Sequence, residues 1–278
     1  FAIKEEKVKI QSGRSRLLLA TQPATEFPSI GSFEPFVEFE LPVETLRALV
    51  EGTQFAMAHQ DVRYYLNGLL LEVSESQIRT VATDGHRLAL CDREVEIETG
   101  EARQIIVPRK GVVEIMRMLG GAESPIKIAI GGNHMKVSRD GQTLTTKLVD
   151  GRFPDYERVI PRAGEKRVFA EREVLKAGLA RASILSNEKF RGVRVVLSNN
   201  QLTAIAHNPE QEEAEEELEV EYDGEELEIG FNVSYLLDVL SVLKCERVRV
   251  DFIDSNSSCL IQDPNDETAR YVVMPMRL

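Results

Sequence analysis

The segment KVSRDG at positions 136–141, followed by RFPD at 152–155, has a near copy at the start of the chain. There KIQSG at 9–13 leads to EFP at 26–28. In each copy a polar turn interrupts a run of alternating residues, and a proline follows, which is typical of two strands joined by a turn. Recurrence after about 120 residues predicts that one supersecondary unit is repeated along the chain.

A third version of the pattern closes the chain, with LIQ at 260–262 and YVVMP at 271–275. Intervening segments repeat as well, because ETLRAL at 44–49 resembles EVLKAGL at 173–179. We therefore predict the closing strands of one unit at 1–37, followed by complete units at 38–164 and 165–278. Since a protein seldom begins within a domain, we expect roughly 90 further residues to precede Phe1.

Helix signals occur twice in each complete unit, which predicts an α+β fold. The predicted helices cover 43–58 after Pro42, a segment through 112–119 that stops at Gly120 and Gly121, a segment with Leu175, Leu179 and Ala182, and one with Leu236, Leu240 and Leu243. Asn232 is the expected N-cap of the last helix. Between them, runs such as 126–130, 193–197 and 248–252 are rich in β-branched residues and predict strands.

The acidic residues are concentrated in one stretch, 210–228, which holds twelve acids and no base and so equals the net charge of -12. Within it Leu218, Val220 and Tyr222 alternate with acids, and Asp223-Gly224 offers a turn. We interpret the stretch as a hairpin with an acidic face. A solvated sheet face is the more economical explanation, and a dedicated acidic binding surface is the alternative.

Composition excludes several other classes of protein. Apolar residues make up 42% of the chain and charged residues 29%, values typical of a folded globular protein. Cys91, Cys245 and Cys259 lack the spacing of a disulfide framework or a zinc site, which favours a reducing compartment. No apolar run approaches the roughly 20 residues of a membrane span, so no membrane partner is predicted.

Several segments resemble one family, the bacterial β sliding clamp of the replicative DNA polymerase. They are TVATDGHRLA at 80–89, SNEKFRGVR at 186–194, NPEQEEA at 208–214, GFNVSY at 230–235 and MPMRL at 274–278. The resemblance spans the whole chain.

The resemblance implies a clamp fold with antiparallel sheets outside and two helices per unit lining the inner face. It implies a cytoplasmic bacterial protein that forms a homodimer at full length and encircles duplex DNA without reading its sequence. Such a clamp confers processivity by tethering the polymerase catalytic subunit, the clamp loader and repair proteins through short linear peptides. It implies neither a catalytic site nor a cofactor.

Three sets of site residues follow from the resemblance. The partner-peptide groove comprises Leu66, Thr83, Gly85, His86, Arg87, Leu88, Pro154, Arg158, Val159, Asn232, Tyr235, Ser258, Val272, Met274, Pro275, Met276, Arg277 and Leu278. DNA contacts are expected from Gln60, Arg63, Tyr64, Tyr65, Arg109 and Lys110. The dimer interface is expected at Arg14, Arg16, Leu17 and Leu19, all on one strand of one subunit, and at Ile184, Leu185, Glu212 and Glu216 on the other.

Two other functions are compatible with parts of the sequence. Asp84, His86 and Arg87 are close enough in sequence to suggest a hydrolase, but no nucleophile motif or phosphate-binding glycine loop accompanies them, and the four histidines lack metal-ligand spacing. A repeat scaffold that binds peptides but not DNA would keep the groove and lose the DNA contacts. The clamp resemblance favours neither.

Overall fold

The computed structural model describes residues 1–27, 33–121, 124–162 and 166–277. It divides into two compact units, 1–34 and 35–278. The first is an antiparallel meander in the order β1-β2-β3. Its strands are β1 (Ala2–Lys4), β2 (Lys7–Ser12) and β3 (Ser15–Ala20), and a 3-10 turn follows at Ala24–Glu26. Arg14 lies in the turn before β3, not on the strand where we expected it.

The second unit contains the same arrangement of strands and helices twice. The first copy consists of β4 (Val37–Leu41), α1 (Val43–Glu51), β5 (Gly68–Val73), β6 (Gln77–Thr83), β7 (Arg87–Glu94), β8 (Arg103–Pro108), α2 (Arg109–Met118), β9 (Ile126–Ile130), β10 (His134–Arg139) and β11 (Gln142–Lys147). The second consists of β12 (Lys166–Glu171), α3 (Arg172–Ala182), β13 (Gly192–Ser198), β14 (Gln201–His207), β15 (Glu213–Glu219), β16 (Leu227–Asn232), α4 (Val233–Val242), β17 (Arg247–Phe252), β18 (Cys259–Asp263) and β19 (Asp266–Val273).

The two copies share one topology. The sheet order β11-β10-β9-β4 recurs as β19-β18-β17-β12, and the order β7-β6-β5-β8 recurs as β15-β14-β13-β16. In both copies a helix follows directly after the first strand and another after the fourth strand of the second sheet. The repeat and the α+β class predicted from the sequence are therefore confirmed.

A strand pairing joins the two copies. Strand β19 of the second copy runs antiparallel to β7 of the first, from Val273 opposite Arg87 to Ala269 opposite Cys91. Two four-stranded sheets thereby become one sheet of eight strands. We call this junction the seam.

The apolar core lies on both faces of the eight-stranded sheet. The larger cluster packs helix residues such as Leu46, Leu49, Leu179 and Leu240 against the sheets. A smaller cluster covers the other face, where Phe153 and other residues of the segment 149–160 are packed. The segment between the two copies thus covers one face of the sheet.

The first helix is shorter than predicted. It begins after Pro42 and ends at Glu51, and Gly52 and a 3-10 turn at Gln54–Ala56 follow. Glycine is costly inside a helix, and the Thr53 hydroxyl donates to the Leu49 carbonyl at 2.7 Å, which closes the helix end. The prediction of a helix to residue 58 is therefore wrong, although Met57 is buried.

The last helix begins where its sequence predicts. The Asn232 side chain accepts a hydrogen bond from the Ser234 backbone N–H at 2.9 Å, which confirms it as the N-cap. The helix ends at Val242, one residue before Leu243. None of the helices in the described ranges is long and apolar enough to cross a membrane.

The acidic stretch is not a hairpin. Its two strands, β15 and β16, lie at opposite edges of one sheet with β14 and β13 between them. Alternation at Leu218, Val220 and Tyr222 placed the first strand too late, since β15 ends at Glu219. Alternation also carries no information on which neighbour a strand chooses, and the preceding hairpin β13–β14 occupies the positions between β15 and β16. The acids of β15 therefore line a free sheet edge, with Glu213, Glu215, Glu217 and Glu219 exposed.

Candidate functional site

The floor of the predicted groove is an apolar patch at the seam. Leu66, Leu88 and Val272 belong to the smaller core cluster, and none is more than 2% exposed. Leu88 lies opposite Val272 in the pairing of β7 with β19, so both copies contribute to the same patch. The residues Pro154, Arg158 and Val159 are exposed on the segment that covers this face. Their neighbours Phe153 and Tyr156 belong to the buried cluster.

The turn before β7 is stabilised by hydrogen bonds between its own side chains and backbone. The Asp84 carboxylate accepts from the backbone N–H groups of His86 and Arg87 at 2.9 and 3.1 Å, and Thr83 Oγ1 accepts from the Gly85 N–H at 3.1 Å. Gly85 has φ +90°, a conformation that favours glycine. The sequence TDGHR thus fixes a tight turn that presents the exposed His86 side chain at the edge of the groove.

Arg87 connects the two copies at the seam through its side chain. Its guanidinium donates to Asp84 Oδ2 at 3.2 Å, to Asp238 on α4, and to the Phe55 carbonyl at 2.9 Å. It also lies 4.6 Å from the centroid of the Tyr235 ring, a favourable cation–π distance. Because Asp84 and Phe55 belong to the first copy and α4 to the second, one side chain holds both together.

Two aromatic rings form the adjoining wall. The His86 ring stacks on Tyr235 with centroids 6.2 Å apart and an interplanar angle of 18°. Burial raises the pKa of the Tyr235 phenol above its usual value. This wall is planar, half-exposed and built by both copies.

Backbone hydrogen bonds attach the C-terminal tail to both copies. The Met274 N–H donates to the His86 carbonyl at 2.9 Å, and the Met276 N–H donates to the Gly230 carbonyl at 2.8 Å. Met274, Pro275 and Met276 are half-buried and Arg277 is exposed, whereas Leu278 lies outside the described residues. Met side chains repack readily, so the tail offers an adaptable apolar rim.

Two more predicted positions flank this rim. Asn232 is occupied as the N-cap of α4, and Ser258 is half-buried directly before β18. The structure also adds residues that sequence reasoning missed, namely Phe55 and Asp238. Asp238 follows Tyr235 by three residues, so helical periodicity could have placed both on one face. Phe55 acts through its carbonyl and ring, and its residue type carries no such signal.

This geometry does not resemble a hydrolytic site. The Asp84 carboxylate is engaged by two backbone amides and by Arg87. Among the residues that the structure describes, no group of three or more His, Cys, Asp or Glu side chains could hold a metal ion. The described residues of the predicted groove instead form a buried apolar base with aromatic and charged side chains beside it.

Two family models match the chain. The central domain of the DNA polymerase III beta subunit matches residues 40–155, and the C-terminal domain of the same subunit matches residues 157–277. The chain belongs to the beta sliding clamp family. The family prediction made from the sequence is thus confirmed, and with it the function of a DNA polymerase sliding clamp.

Similar proteins agree with this membership. The beta sliding clamp of Salmonella typhimurium is 56% identical over 273 residues, which cover 98% of this chain and 74% of the relative. That of Escherichia coli K12 is 55% identical with the same coverage. The crystal structure of the DNA polymerase III subunit beta from Pseudomonas aeruginosa superposes with a TM-score of 0.94 at 51% identity, over 99% of this chain and 76% of that one. A sliding clamp from the same organism, bound to griselimycin, gives 0.91 at 51% identity, over 99% of this chain and 75% of that one.

The residues expected to touch DNA in this clamp lie in one loop and at the start of α2. Asn67 closes the loop, since its side chain exchanges two hydrogen bonds of 2.9 Å with the Asp61 backbone. Gln60 has φ 53° and is exposed, and the rings of Tyr64 and Tyr65 meet edge to face at 5.8 Å. The Arg109 N–H donates to the Asn67 carbonyl, which joins the loop to α2. The structure therefore brings this set together.

The three cationic side chains of this set differ in whether other groups of the protein already bind them. Arg63 is bound by the Asp61 carboxylate through two contacts of 3.0 and 2.8 Å and also donates to the Asp84 carbonyl. Arg109 is half-buried and donates to the Met57 carbonyl. Lys110 is exposed, and no described residue forms an ion pair with it. Lys110 is therefore the cation best placed to reach a phosphate.

The residues expected at the dimer interface lie along two free strand edges. Leu17 and Leu19 are exposed by 55% and 48% on the edge strand β3, and Arg16 is exposed beside them. Ile184 is 75% exposed, Leu185 is half-buried and Glu212 is exposed. These three flank or precede the edge strand β15.

Glu216 of β15 is already engaged within the chain. Its carboxylate accepts from Arg181 at 2.9 and 2.7 Å, and this bidentate contact lowers the pKa of Glu216. Of the acids predicted at the interface, Glu212 is therefore the freer one to meet the arginines of another subunit.

Proposed function

We propose that the protein closes into a homodimeric ring around duplex DNA and tethers its partners by binding their short peptides in the groove at the seam. One observation carries the proposal: the pairing of β7 with β19 joins two copies of the same unit edge to edge. Repeating such a junction between identical units builds a closed band when the rotation per unit closes. Enclosure and tethering then require no chemistry on the DNA.

The same junction supplies a geometry for ring closure. Strand β15 occupies in the second copy the position that β7 occupies in the first, and β3 ends a meander like the one that β19 ends. Both β15 and β3 are sheet edges, and an edge strand tends to pair with another strand. We infer that β3 of one subunit pairs with β15 of the other, with Leu17, Leu19 and Ile184 buried between them.

Charge supports this closure. Arg14 lies in the turn before β3 and Arg16 near the start of that strand, and the exposed acids of β15 include Glu213, Glu215 and Glu217. Opposite charges across an interface steer association and set its register. The acidic stretch, which would otherwise be a solvated face, thereby acquires a partner.

The DNA contacts proposed here are weak and independent of sequence. Lys110 offers a point charge for phosphate, and Gln60, Tyr64 and Tyr65 offer groups suited to sugar and phosphate. Such contacts tolerate sliding, because a topological link rather than local affinity retains the ring. A net charge of -12 is compatible with this role, since twelve acids lie in the single stretch 210–228.

The groove is suited to linear peptides with apolar anchors. Its floor consists of Leu66, Leu88 and Val272, and its rim includes Met274 and Met276. Methionine surfaces accept different anchors by repacking, so one groove can serve the polymerase catalytic subunit, the clamp loader and repair proteins in turn. We propose Gln-Leu-Phe-type segments as the ligands.

Retention on DNA of different topology tests the ring. The protein loaded on nicked circular DNA should remain bound in high salt and should leave when the circle is cut. Ordinary electrostatic binding would weaken with salt on both forms alike. Equal retention on circular and linear DNA would therefore contradict enclosure and favour ordinary electrostatic binding along the duplex.

A further inference from the structure

A cavity of about 570 Å³ lies at the seam, behind the groove. It is bounded by the end of α1, the end of α4, strand β7 and the turn between β18 and β19. Neighbouring residues of a strand point to opposite faces of the sheet. Val272 belongs to the groove floor and Tyr271 lines the cavity, so the two sites lie on opposite faces of β19.

The hydroxyl of Tyr271 points into this cavity without a protein partner. Tyr271 is 2% exposed, and within the described part of the chain no group hydrogen-bonds its oxygen. The phenol oxygen itself remains accessible from the cavity, so it is free to donate or accept a hydrogen bond. Gly52 lies beside this hydroxyl, since a Cβ at that position would be in van der Waals contact with Tyr271 Oη at 3.6 Å. The cavity therefore offers a polar group that is held in place by the fold and not used by it.

The charges around the cavity favour a cation. Glu51, Asp263 and Asp266 line it, against Arg93 and Lys244. Arg93 is engaged, since its Nη1 donates to the Asp92 carbonyl at 2.6 Å and to Thr268 Oγ1 at 2.8 Å. Lys244 approaches Glu51 only to 3.9 Å, and its side chain is 87% exposed.

Two helix ends add to this preference. Helix α1 ends at Glu51 and α4 at Val242, and both ends line the cavity. A helix C-terminus carries a partial negative charge, which stabilises a nearby cation. The two helix ends thus add to the three carboxylates that oppose the two basic side chains on the wall.

We propose that this cavity is a second ligand site, which binds a linear aliphatic polyamine. One ammonium group would lie between the Glu51 carboxylate and the Tyr271 hydroxyl, and another at Asp263 and Asp266. The methylene chain would lie along Val242, Leu243 and Ala269, the apolar part of the lining. The proposal does not depend on ring closure or on peptide binding.

Such a ligand would bridge the two copies. Glu51 belongs to the first copy, and Tyr271, Asp263 and Asp266 belong to the second. A ligand that binds only the folded state raises its stability in proportion to the logarithm of ligand concentration over Kd. Polyamine occupancy should therefore raise the temperature at which the seam opens.

Calorimetric titration of the full chain with spermidine tests the site. Tyr271→Phe keeps the ring and removes only the hydroxyl, and Glu51→Gln keeps the shape and removes the charge. Each should weaken spermidine binding at least fivefold. Glu226→Gln removes an exposed acid outside the cavity and serves as the matched control, which should leave the affinity unchanged.

A second readout locates the ligand. Cys245 lines the cavity and is half-buried, whereas Cys91 and Cys259 are buried. Saturating spermidine should slow iodoacetamide labelling of Cys245 severalfold in the wild type and much less in Tyr271→Phe. The proposal is overturned if Glu226→Gln weakens binding as much as Glu51→Gln, since spermidine would then bind the acidic surface at large. Protection of Cys245 by inorganic phosphate instead of spermidine would also overturn it.

Discussion

The guanidinium of Arg87 lies 4.6 Å from the centre of the Tyr235 ring and donates to Asp238, one turn further along the same helix. Arg87 begins β7 of the first copy, and both partners belong to α4 of the second. Its side chain is only 11% exposed, so its charge depends on these partners. This contact therefore holds the two copies together at the seam and fixes the position of side chains in the predicted groove.

Replacing Arg87 should affect both properties. Arg87→Met keeps the aliphatic stem but leaves Asp84 Oδ2 and the Phe55 carbonyl without the guanidinium donor. We expect about 2 kcal/mol less free energy of unfolding, from the loss of buried charge-assisted hydrogen bonds. Peptide affinity should fall at least tenfold. Denaturant unfolding and calorimetry measure the two effects.

A second ion pair across the seam provides the control. Lys244 and Glu51 approach to 3.9 Å with side chains 87% and 41% exposed. Exposed pairs of this kind contribute little, so Lys244→Met should change stability by less than about 0.5 kcal/mol and leave peptide binding intact. Equal losses in both variants would refute the special role of Arg87.

Shortening the tail should impair the groove without unfolding the protein. Deletion of residues 276–278 removes Met276, whose N–H donates to the Gly230 carbonyl, together with Arg277 and Leu278. We expect a loss of about 2 kcal/mol in affinity for a Gln-Leu-Phe-type peptide, the usual effect of removing interface anchors. Calorimetry measures it, with Val113→Ser on α2 as a control that should bind normally. Unchanged binding by the shortened protein would reject the tail as part of the site.

Local sequence signals predicted much of the fold, because local chemistry determines those features. The similar turns near Gly13 and Gly141, where both glycines have positive φ, allowed the repeat to be predicted. Asn232 allowed the start of α4 to be predicted. Strand partners and helix ends were less accessible. The hairpin prediction failed because β13 and β14 lie between β15 and β16, and the first helix ends early because Gly52 and Thr53 end it.

The candidate site, like the fold, has features that the sequence predicted and features that it did not. The resemblance supplied Arg87 and Tyr235, but the link from Arg87 to Asp238 spans 151 residues and no periodicity connects them. The pairing of Glu216 with Arg181 was missed for a similar reason, since a helix and a strand contribute one residue each. Long-range side-chain contacts depend on packing, which the order of residues does not display.

Dimerisation should depend on Ile184. It is 75% exposed beside the edge strand β15, so Ile184→Asp should leave the subunit folded while placing a charge in the proposed apolar contact. Burial of an unpaired carboxylate is costly, and we expect the dimer dissociation constant to rise at least tenfold. Val174→Asp on α3, where the native side chain is 51% exposed, is the control. Analytical ultracentrifugation measures both, and an unaffected Ile184→Asp dimer would place the interface elsewhere.

The loop expected to contact DNA should keep its shape to low pH. Arg63 hydrogen-bonds the Asp61 carboxylate and lowers the pKa of Asp61 from 3.8 to about 2. Because the folded-state pKa is depressed, the contact is fully present above pH 3.8 and is lost as the pH falls through about 2. Carboxyl NMR titration should therefore show Asp61 still ionised at pH 3, and Arg63→Gln should return its pKa towards 3.8. Glu114→Gln removes an exposed acid of α2 and should leave the Asp61 titration unchanged. An Asp61 pKa near 3.8 in the wild type would mean that Arg63 is free in solution, and Arg63 would then join Lys110 as a cation available to phosphate.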